Sequence, residues 1–576
     1  MKAKNFWLAG VAVAIVLGSW TKGIATHASS VGSGNIKHVL LLSIDGMHAA
    51  DFYNCAHGIA GVNGGDPYCP NLAALSQTGI NYVNAESSKP SDSFPGMAAL
   101  ASGGTPKSTG LYYDVAYDRT LDPPAEKTGS GLAGGPCTPG AKPAGTTTDN
   151  DQGIDFNDNL LNGGAPGATL TEGGIASIDP LHLERDPQKG CAPVYPWNFI
   201  RVNTAFGVVH AAGGYTAWID KRPSYSVVAG PGGNVSPIGL DDFYAPEVAS
   251  AVVALPVTTF NGISCDPIPD PTPTGVSAWN SSFANIQCYD QLRVNALLNQ
   301  INGQTHLGVP AVVPAVFGMD FQSVYVGESV NEAGVRGGYQ NAAAEPSPML
   351  LEEIQYVDTC IGEIEKALKA AGIYENTLLI ITAKHGDSPI DPTRYVADGT
   401  NTPATLLALA GLIPYSESPL NSTGIGATED DVSVLWLKKG ASVAAAVQLL
   451  EKDATKIGLG EIYYGPTLAL NYNVGGWEPG EDPRTPDIIV TPNVGVTYSS
   501  STAMIGDHGG FAHDDTNVIM LVANPDFTAQ TVSTKTTTTQ VAPTIVQALG
   551  LNPSLLDAVR FEGTTVLPEV FAQLDK

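Results

Sequence analysis

Continuous apolar runs, rather than alternating ones, mark the strands of this chain. His38–Ile44 (HVLLLSI) runs into Asp45-Gly46, Val312–Gly318 into Asp320, and Leu378–Ala383 (LLIITA) into Lys384-His385-Gly386. Runs of this kind suit a sheet covered on both faces. Helical periodicity lies between them. Met349–Ala371 sets Leu351, Ile354, Val357, Ile361, Ile364 and Leu368 at three- and four-residue spacing, with Gly372 as a stop. Ala542–Leu549, ended by Gly550, predicts another helix. Strands alternating with helices predict an α/β fold with a mostly parallel central sheet and helices on both faces. Ligands of such sheets gather at the carboxyl ends of the strands, so Asp45, Asp320 and His385 are expected on one rim.

The pattern also divides the chain. Residues from about Leu121 to Gly190 are rich in Gly, Pro, Asp and Thr and lack periodicity, which predicts a loop-rich surface insertion. Between Pro392 and Ser500 lie Val432–Leu437 (VSVLWL), a helical stretch near Ser442–Ile457, and a DIIV run at Asp487–Val490. These predict a small α/β insertion, or cap, packed over the site. At the start, Lys2 and Lys4 precede an apolar run from Phe6 to Trp20, followed by small residues near Ala25 and Ala28. That layout predicts a signal peptide over 1–28, against the alternative of an uncleaved anchor. The expected core is then 29–391 and 501–576, the cap 392–500, and the location secreted or periplasmic. No later run is long and apolar enough for a membrane helix, so no membrane contact is expected after cleavage.

Composition narrows the function. Of 576 residues, 43% are hydrophobic and 15% charged, with a net charge of −28. This excludes a disordered chain and argues against a nucleic-acid polymer as partner. A small phosphorylated substrate stays admissible, because a metal reverses the local field. Export permits disulfides for the seven cysteines. Sequential pairing is expected, Cys55 with Cys69, Cys137 with Cys191 and Cys265 with Cys288, although six cysteines allow fifteen connectivities. Cys360 falls on the apolar side of the 349–371 helix and reads as a buried thiol. Nothing in the pattern bears on oligomeric state.

Chemistry concentrates in three segments. Lys89–Gly96 (KPSDSFPG) precedes MAALASGG, a run suited to open a helix, and a serine there faces free backbone N–H groups. Taken alone, such turns are more often caps. Thr382–Asp387 (TAKHGD) and Gly506–Asp515 (GDHGGFAHDD) supply two His-Gly units among only ten histidines. Histidine, aspartate and a deprotonated hydroxyl together suit zinc. Tyr112, Tyr113, Tyr195 and Trp197 offer ring faces for a substrate, although loop packing is the commoner use of such residues.

The order of these segments resembles the type I phosphodiesterase/nucleotide pyrophosphatase branch of the alkaline phosphatase superfamily. Ser43-Ile44-Asp45-Gly46 matches its opening IDG strand. Asp92-Ser93-Phe94-Pro95-Gly96 matches its K-T-F-P-N-type nucleophile turn, with Ser93 in the threonine's place. Ser102-Gly103-Gly104-Thr105-Pro106 through Thr109-Gly110 loosely echoes its TG-x-x-P-x-x-HG continuation, and Gly506-Asp507-His508-Gly509 its last metal histidine. The resemblance runs from about Ile36 to Leu567 and implies an alkaline-phosphatase-like sandwich. It implies a phosphodiesterase or phosphomonoesterase with a Ser93 nucleophile and a phospho-enzyme intermediate. One metal would be held by Asp45, Ser93 and His385, and a second by Asp320 and His508.

Two positions depart from the family. Lys384 replaces the metal aspartate before the histidine, and Val324 replaces the histidine of a D-x-x-x-H-x-x-G segment running from Asp320 to Gly327. Three readings are open at this point. One divalent ion remains, with the Lys384 ammonium replacing the other; or two remain, with Asp507, His513, Asp514 or Asp387 completing the ligands; or the protein is a non-catalytic binder. Zinc is the expected ion, with Mn, Mg or Ca as alternatives. A sulfatase is disfavoured, because Ser93-Phe94-Pro95-Gly96-Met97 lacks the arginine of C/S-x-P-x-R.

Overall fold

The computed structural model describes residues 34–128, 130–150, 175–248, 257–265, 279–421, 426–499 and 503–575. The expected signal peptide, 1–28, lies outside these residues, as does 151–174 of the loop-rich insertion.

The apolar runs pair into one eight-stranded sheet. Its strands are β1 (His38–Ile44), β2 (Gly79–Tyr82), β3 (Ala217–Ile219), β4 (Asp242–Tyr244), β5 (Val316–Phe321), β6 (Thr377–Thr382), β7 (Met520–Ala523) and β8 (Gln530–Val532). The order is β8-β2-β7-β6-β1-β5-β3-β4, and β7 alone runs against its neighbours. The sheet is therefore mostly parallel, as expected. β1 sits at its centre, with Ser43 opposite Asp320 on β5 and Thr382 on β6. That register brings the segment after β1, the end of β5 and the segment after β6 to one rim.

Both faces of the sheet are covered, which explains the unbroken apolar runs. Val39 and Leu41 face a core shared with α1 (Ser93–Ser102), Ala205–Ala211 and Val541–Ala548. Leu40, Leu42 and Ile44 face the other core, with Ala49–His57, Pro70–Ser76, α2 (Phe283–Ile301) and α3 (Pro348–Ala370). Each fully buried leucine contributes about 1.5–3 kcal/mol. The 348–370 helix agrees with the periodic run to within one residue at each end.

Beyond β6 the chain forms a second, three-stranded sheet from Ser433–Leu435, Ile488–Pro492 and Leu459–Tyr464. Pro403–Leu409 and Val443–Lys452 pack on one of its faces. Its other face, through Val432, Val434, Trp436 and Ile489, packs on Tyr112, Tyr113 and Tyr117. Tyr112, Tyr195 and Trp197 are buried packing residues, not ring platforms. The cysteines pair as expected: Cys55–Cys69, Cys137–Cys191 and Cys265–Cys288, with Cys360 free and buried.

Candidate active site

Ser93 is the first residue of α1, which begins four residues before the small-residue run that opens at Met97. Asp92 caps the helix, its carboxylate accepting from the Phe94 N–H at 3.2 Å. Helix and β6 meet closely, because a Cβ on Gly96 would lie 2.5 Å from the Lys384 carbonyl oxygen. This contact sets Ser93 against the turn after β6, where Ser93 Oγ lies 2.9 Å from His385 Nε2. His385 Nδ1 lies 2.9 Å from the Gly386 carbonyl, which can only accept. Nδ1 therefore carries the hydrogen of the neutral ring, and Nε2 is free to accept from the serine hydroxyl.

Asp45 comes directly after β1 and is followed by Gly46 at φ +87°, where a Cβ would lie 2.2 Å from Glu328 Oε2. Only glycine allows that turn. Asp45 Oδ2 lies 3.7 Å from His385 Nε2 and accepts from the Gln322 amide at 2.6 Å. Gln322 is held in place by Asp290 on α2, whose carboxylate accepts from the Gln322 N–H at 3.0 Å and the Ser323 N–H at 2.9 Å.

Two lysines enter this group. Lys221, two residues beyond β3, donates to Ser93 Oγ at 2.9 Å and to Asp45 Oδ2 at 3.1 Å. Lys384 Nζ pairs with Asp45 at 3.1 Å, Asp320 at 3.2 Å and Asp220 at 3.7 Å, and lies 4.3 Å from the centre of the Tyr225 ring. Burial works against the Lys384 charge, but Asp220, Asp320 and Asp45 overcome it and raise its pKa. Burial likewise works against the Asp45 charge, yet Lys384, Lys221 and His385 hold its carboxyl well below the usual range.

The remaining predicted residues separate into two places. Asp320 lies inside β5 rather than beyond it, and is tied to Lys384, to Gln322 at 2.7 Å and to Arg293 at 3.7 Å. His508 stacks edge-on against His385, with ring centres 4.0 Å apart, and groups with Asp507 and Asp430. His513 is exposed, at the start of the short turn His513–Thr516. Val324 is buried in the core with Phe321 and Met319.

A cavity of about 470 Å³ opens over this floor. Lys221, Arg222, Gln322 and Tyr325 line it together with Asp92, Asp114, Asp430, Asp507 and His508. Sequence reading missed Lys221 and Asp430. A signal for Lys221 existed, since Ala217–Ile219 is a short apolar run ending in Asp220-Lys221. Asp430 carried none, because it lies in a polar loop.

The fit to the family's two ions differs between the groups. At Asp45, Ser93 and His385, the Lys221 ammonium bridges two of the three would-be ligands and Lys384 crowds the same carboxylate oxygen. As placed, that trio faces lysine ammonium groups where the family's set would hold a metal ion. Among the described residues, two sets of three His, Asp or Glu ligand atoms lie within 4.8 Å of one another: His48, Asp51 and Glu328, and Asp430, Asp507 and His508. In the first set His48 is bonded to Asp51 at 2.9 Å and to Tyr339 at 2.8 Å, beneath Gly46.

The structure resembles that of murine ectonucleotide pyrophosphatase/phosphodiesterase 5, at 14% identity, 90% coverage of this chain, 96% of that one and a TM-score of 0.50. The same values hold for an inactive variant of the murine protein in complex with AMP. The human counterpart gives 13% identity, 89% and 95% coverage and a TM-score of 0.48. At this identity the murine likeness speaks for the fold. No curated protein matches the sequence significantly. The family described as type I phosphodiesterase/nucleotide pyrophosphatase matches residues 39–140 and 304–511, more than half the chain, taking in β1, the Ser93 turn, β5, β6 and His508. The protein therefore belongs to the type I phosphodiesterase/nucleotide pyrophosphatase family of hydrolases, within the alkaline phosphatase superfamily.

Proposed function

We propose that this protein is an exported hydrolase of small phosphate esters in which Ser93 is the nucleophile and His385 its base. The observation that carries the reading is the position of Ser93 Oγ, 2.9 Å from both His385 Nε2 and Lys221 Nζ at the start of α1. The serine proton passes to His385 Nε2, the Oγ–P bond forms, and the ester P–O bond breaks as the alcohol leaves with a proton. Water then releases phosphate from the phosphoseryl intermediate and restores the hydroxyl. Lys221, with Lys384 behind it, offsets negative charge on the phosphoryl oxygens, the task for which metal ions serve in related sites. Ser93 itself is fully buried, and Lys221 links it to the cavity, so Lys221 must turn toward the entering phosphate.

Nucleotide phosphodiesters are the first substrates to try, given the family and the AMP complex of the murine relative. Export is supported by the three disulfides and by the absence, among the described residues, of a helix long and apolar enough to cross a membrane. We place the signal peptide at 1–28, the core at 29–391 and 501–576, and a cap at 392–500.

Nitrophenyl phosphate mono- and diesters test the reading, with Zn, Mn, Mg or Ca supplied. Ser93→Ala and His385→Ala should each lower turnover by about a thousandfold or more. Wild type that cleaves none of these esters under any of the four ions ends the catalytic reading. A second reading, a non-catalytic binder of phosphorylated ligands, draws on the two lysines at the first metal position. AMP binding without turnover would favour it.

A further inference from the structure

We propose a divalent-cation site formed by Asp430, Asp507 and His508 with Asp92 as a fourth ligand, on the cavity wall beside Ser93. It differs from the family's expected set, because Asp430 and Asp92 take part and Asp320 does not.

One ligand atom from each of Asp430, Asp507 and His508 lies within 4.8 Å of the other two. Opposed ligands on a cation lie about 4.2 Å apart at zinc bond lengths and about 4.8 Å at calcium ones, so modest inward movement closes the set. A second, independent observation points the same way. Asp92 is completely buried, yet its Oδ1 has no hydrogen-bond partner. That oxygen lies 4.0 Å from His508 Nδ1, which has none either. The other Asp92 oxygen is fully used, by the N–H groups of Phe94 at 3.2 Å and Asp114 at 3.0 Å. Asp430 is steered from below by the Tyr113 hydroxyl at 2.8 Å, and Asp507 accepts from the His508 N–H at 3.0 Å.

The charge pattern asks for a cation. Asp92, Asp114, Glu429, Asp430 and Asp507 all line the cavity that a phosphate ester must enter. Five carboxylates around one cavity disfavour an anionic substrate, and a divalent ion reverses the field. One imidazole nitrogen with carboxylate oxygens suits Zn²⁺ or Mn²⁺ better than a soft ion. Lys221 lines the same cavity, so a phosphate bound there would meet both the ion and the ammonium. That role rests on the proposed hydrolase reading; the existence of the site does not.

Metal content of the full purified chain tests it, after saturation with Zn²⁺ or Mn²⁺ and desalting. One equivalent is expected in wild type. Asp430→Asn and His508→Ala should each hold less than a tenth of an equivalent, whereas Asp430→His, which keeps a ligand, and Asp320→Asn should hold one. Melting temperatures without metal identify any variant that fails to fold, and Asp430→His then decides. A wild type that binds no ion, or an equivalent retained in Asp430→Asn and His508→Ala, overturns the proposal. So does loss of the ion in Asp320→Asn. No substrate is present in the measurement, so failure of the site and failure of the hydrolase reading are read separately.

Discussion

Lys221 Nζ and Ser93 Oγ, from segments 128 residues apart, meet at 2.9 Å. The same ammonium reaches Asp45 at 3.1 Å, so a lysine following β3 bridges the acid after β1 and the hydroxyl that starts α1. In the proposed chemistry this contact polarises the serine oxygen and supplies positive charge next to the phosphoryl group. Lys221→Gln should therefore lower kcat by about a hundred- to a thousandfold with a smaller change in KM, the effect of losing one preorganised donor. Steady-state kinetics on a nitrophenyl phosphodiester check this, and an unchanged kcat removes Lys221 from the reaction.

Lys384 places one ammonium among three buried carboxyl groups. Its removal in Lys384→Met leaves Asp45, Asp220 and Asp320 facing one another and should destabilise the fold by about 3–5 kcal/mol. Lys384→Asp restores the family's ligand. It should bind one more equivalent of Zn²⁺ than wild type and recover in melting temperature when the ion is added. An unchanged stoichiometry refutes the idea that this lysine stands in for an ion.

Glu417 provides a pH test away from the site. It is buried, accepts from the Thr147 hydroxyl at 2.5 Å, and is pushed up to about 8 by loss of solvation. A folded-state pKa above the unfolded value means its contribution is full below about pH 4.5 and is lost as pH rises toward 8. Above that, the buried carboxylate costs a few kcal/mol. Glu417→Gln keeps the acceptor without the charge. It should match wild type near pH 5 and gain about 1–3 kcal/mol by pH 9. Denaturant curves at both pH values decide, and coincident curves at pH 9 contradict the assignment.

The cysteines make a fourth prediction. Cys360 is fully buried, and burial pushes its thiol well up, so a thiol reagent should label nothing in the native protein and one cysteine after unfolding without reductant. Peptide mapping should place that label on Cys360. Opening Cys137–Cys191, which closes a 54-residue loop, by paired serine substitution should cost about 2–4 kcal/mol.

How much of this was legible beforehand depends on the element. The sequence pattern matches the strand at 38–44 to the residue and the helix at 348–370 to within one, because long apolar runs and sustained periodicity report burial directly. The apolar run puts Asp320 beyond its strand, yet it falls within β5, since a run's apolar end and its last ladder bond need not coincide. The small-residue run puts Ser93 before a helix that in fact begins with it, because Asp92 supplies the cap.

By itself the sequence determined the fold class and the family, and it marked Asp45, Ser93 and His385 as candidates, because each sits in or beside a local pattern with its own physical signature. Tertiary structure alone decided which cations surround Ser93. Lys221 comes from the end of a three-residue strand, and only the order β1-β5-β3 carries that end to the rim where Asp45 lies. Asp430 stands in a polar loop and faces His508 only because the three-stranded sheet packs on Tyr112 and Tyr113. Electrostatic partners are chosen by proximity in space, and local pattern carries no record of a neighbour hundreds of residues away.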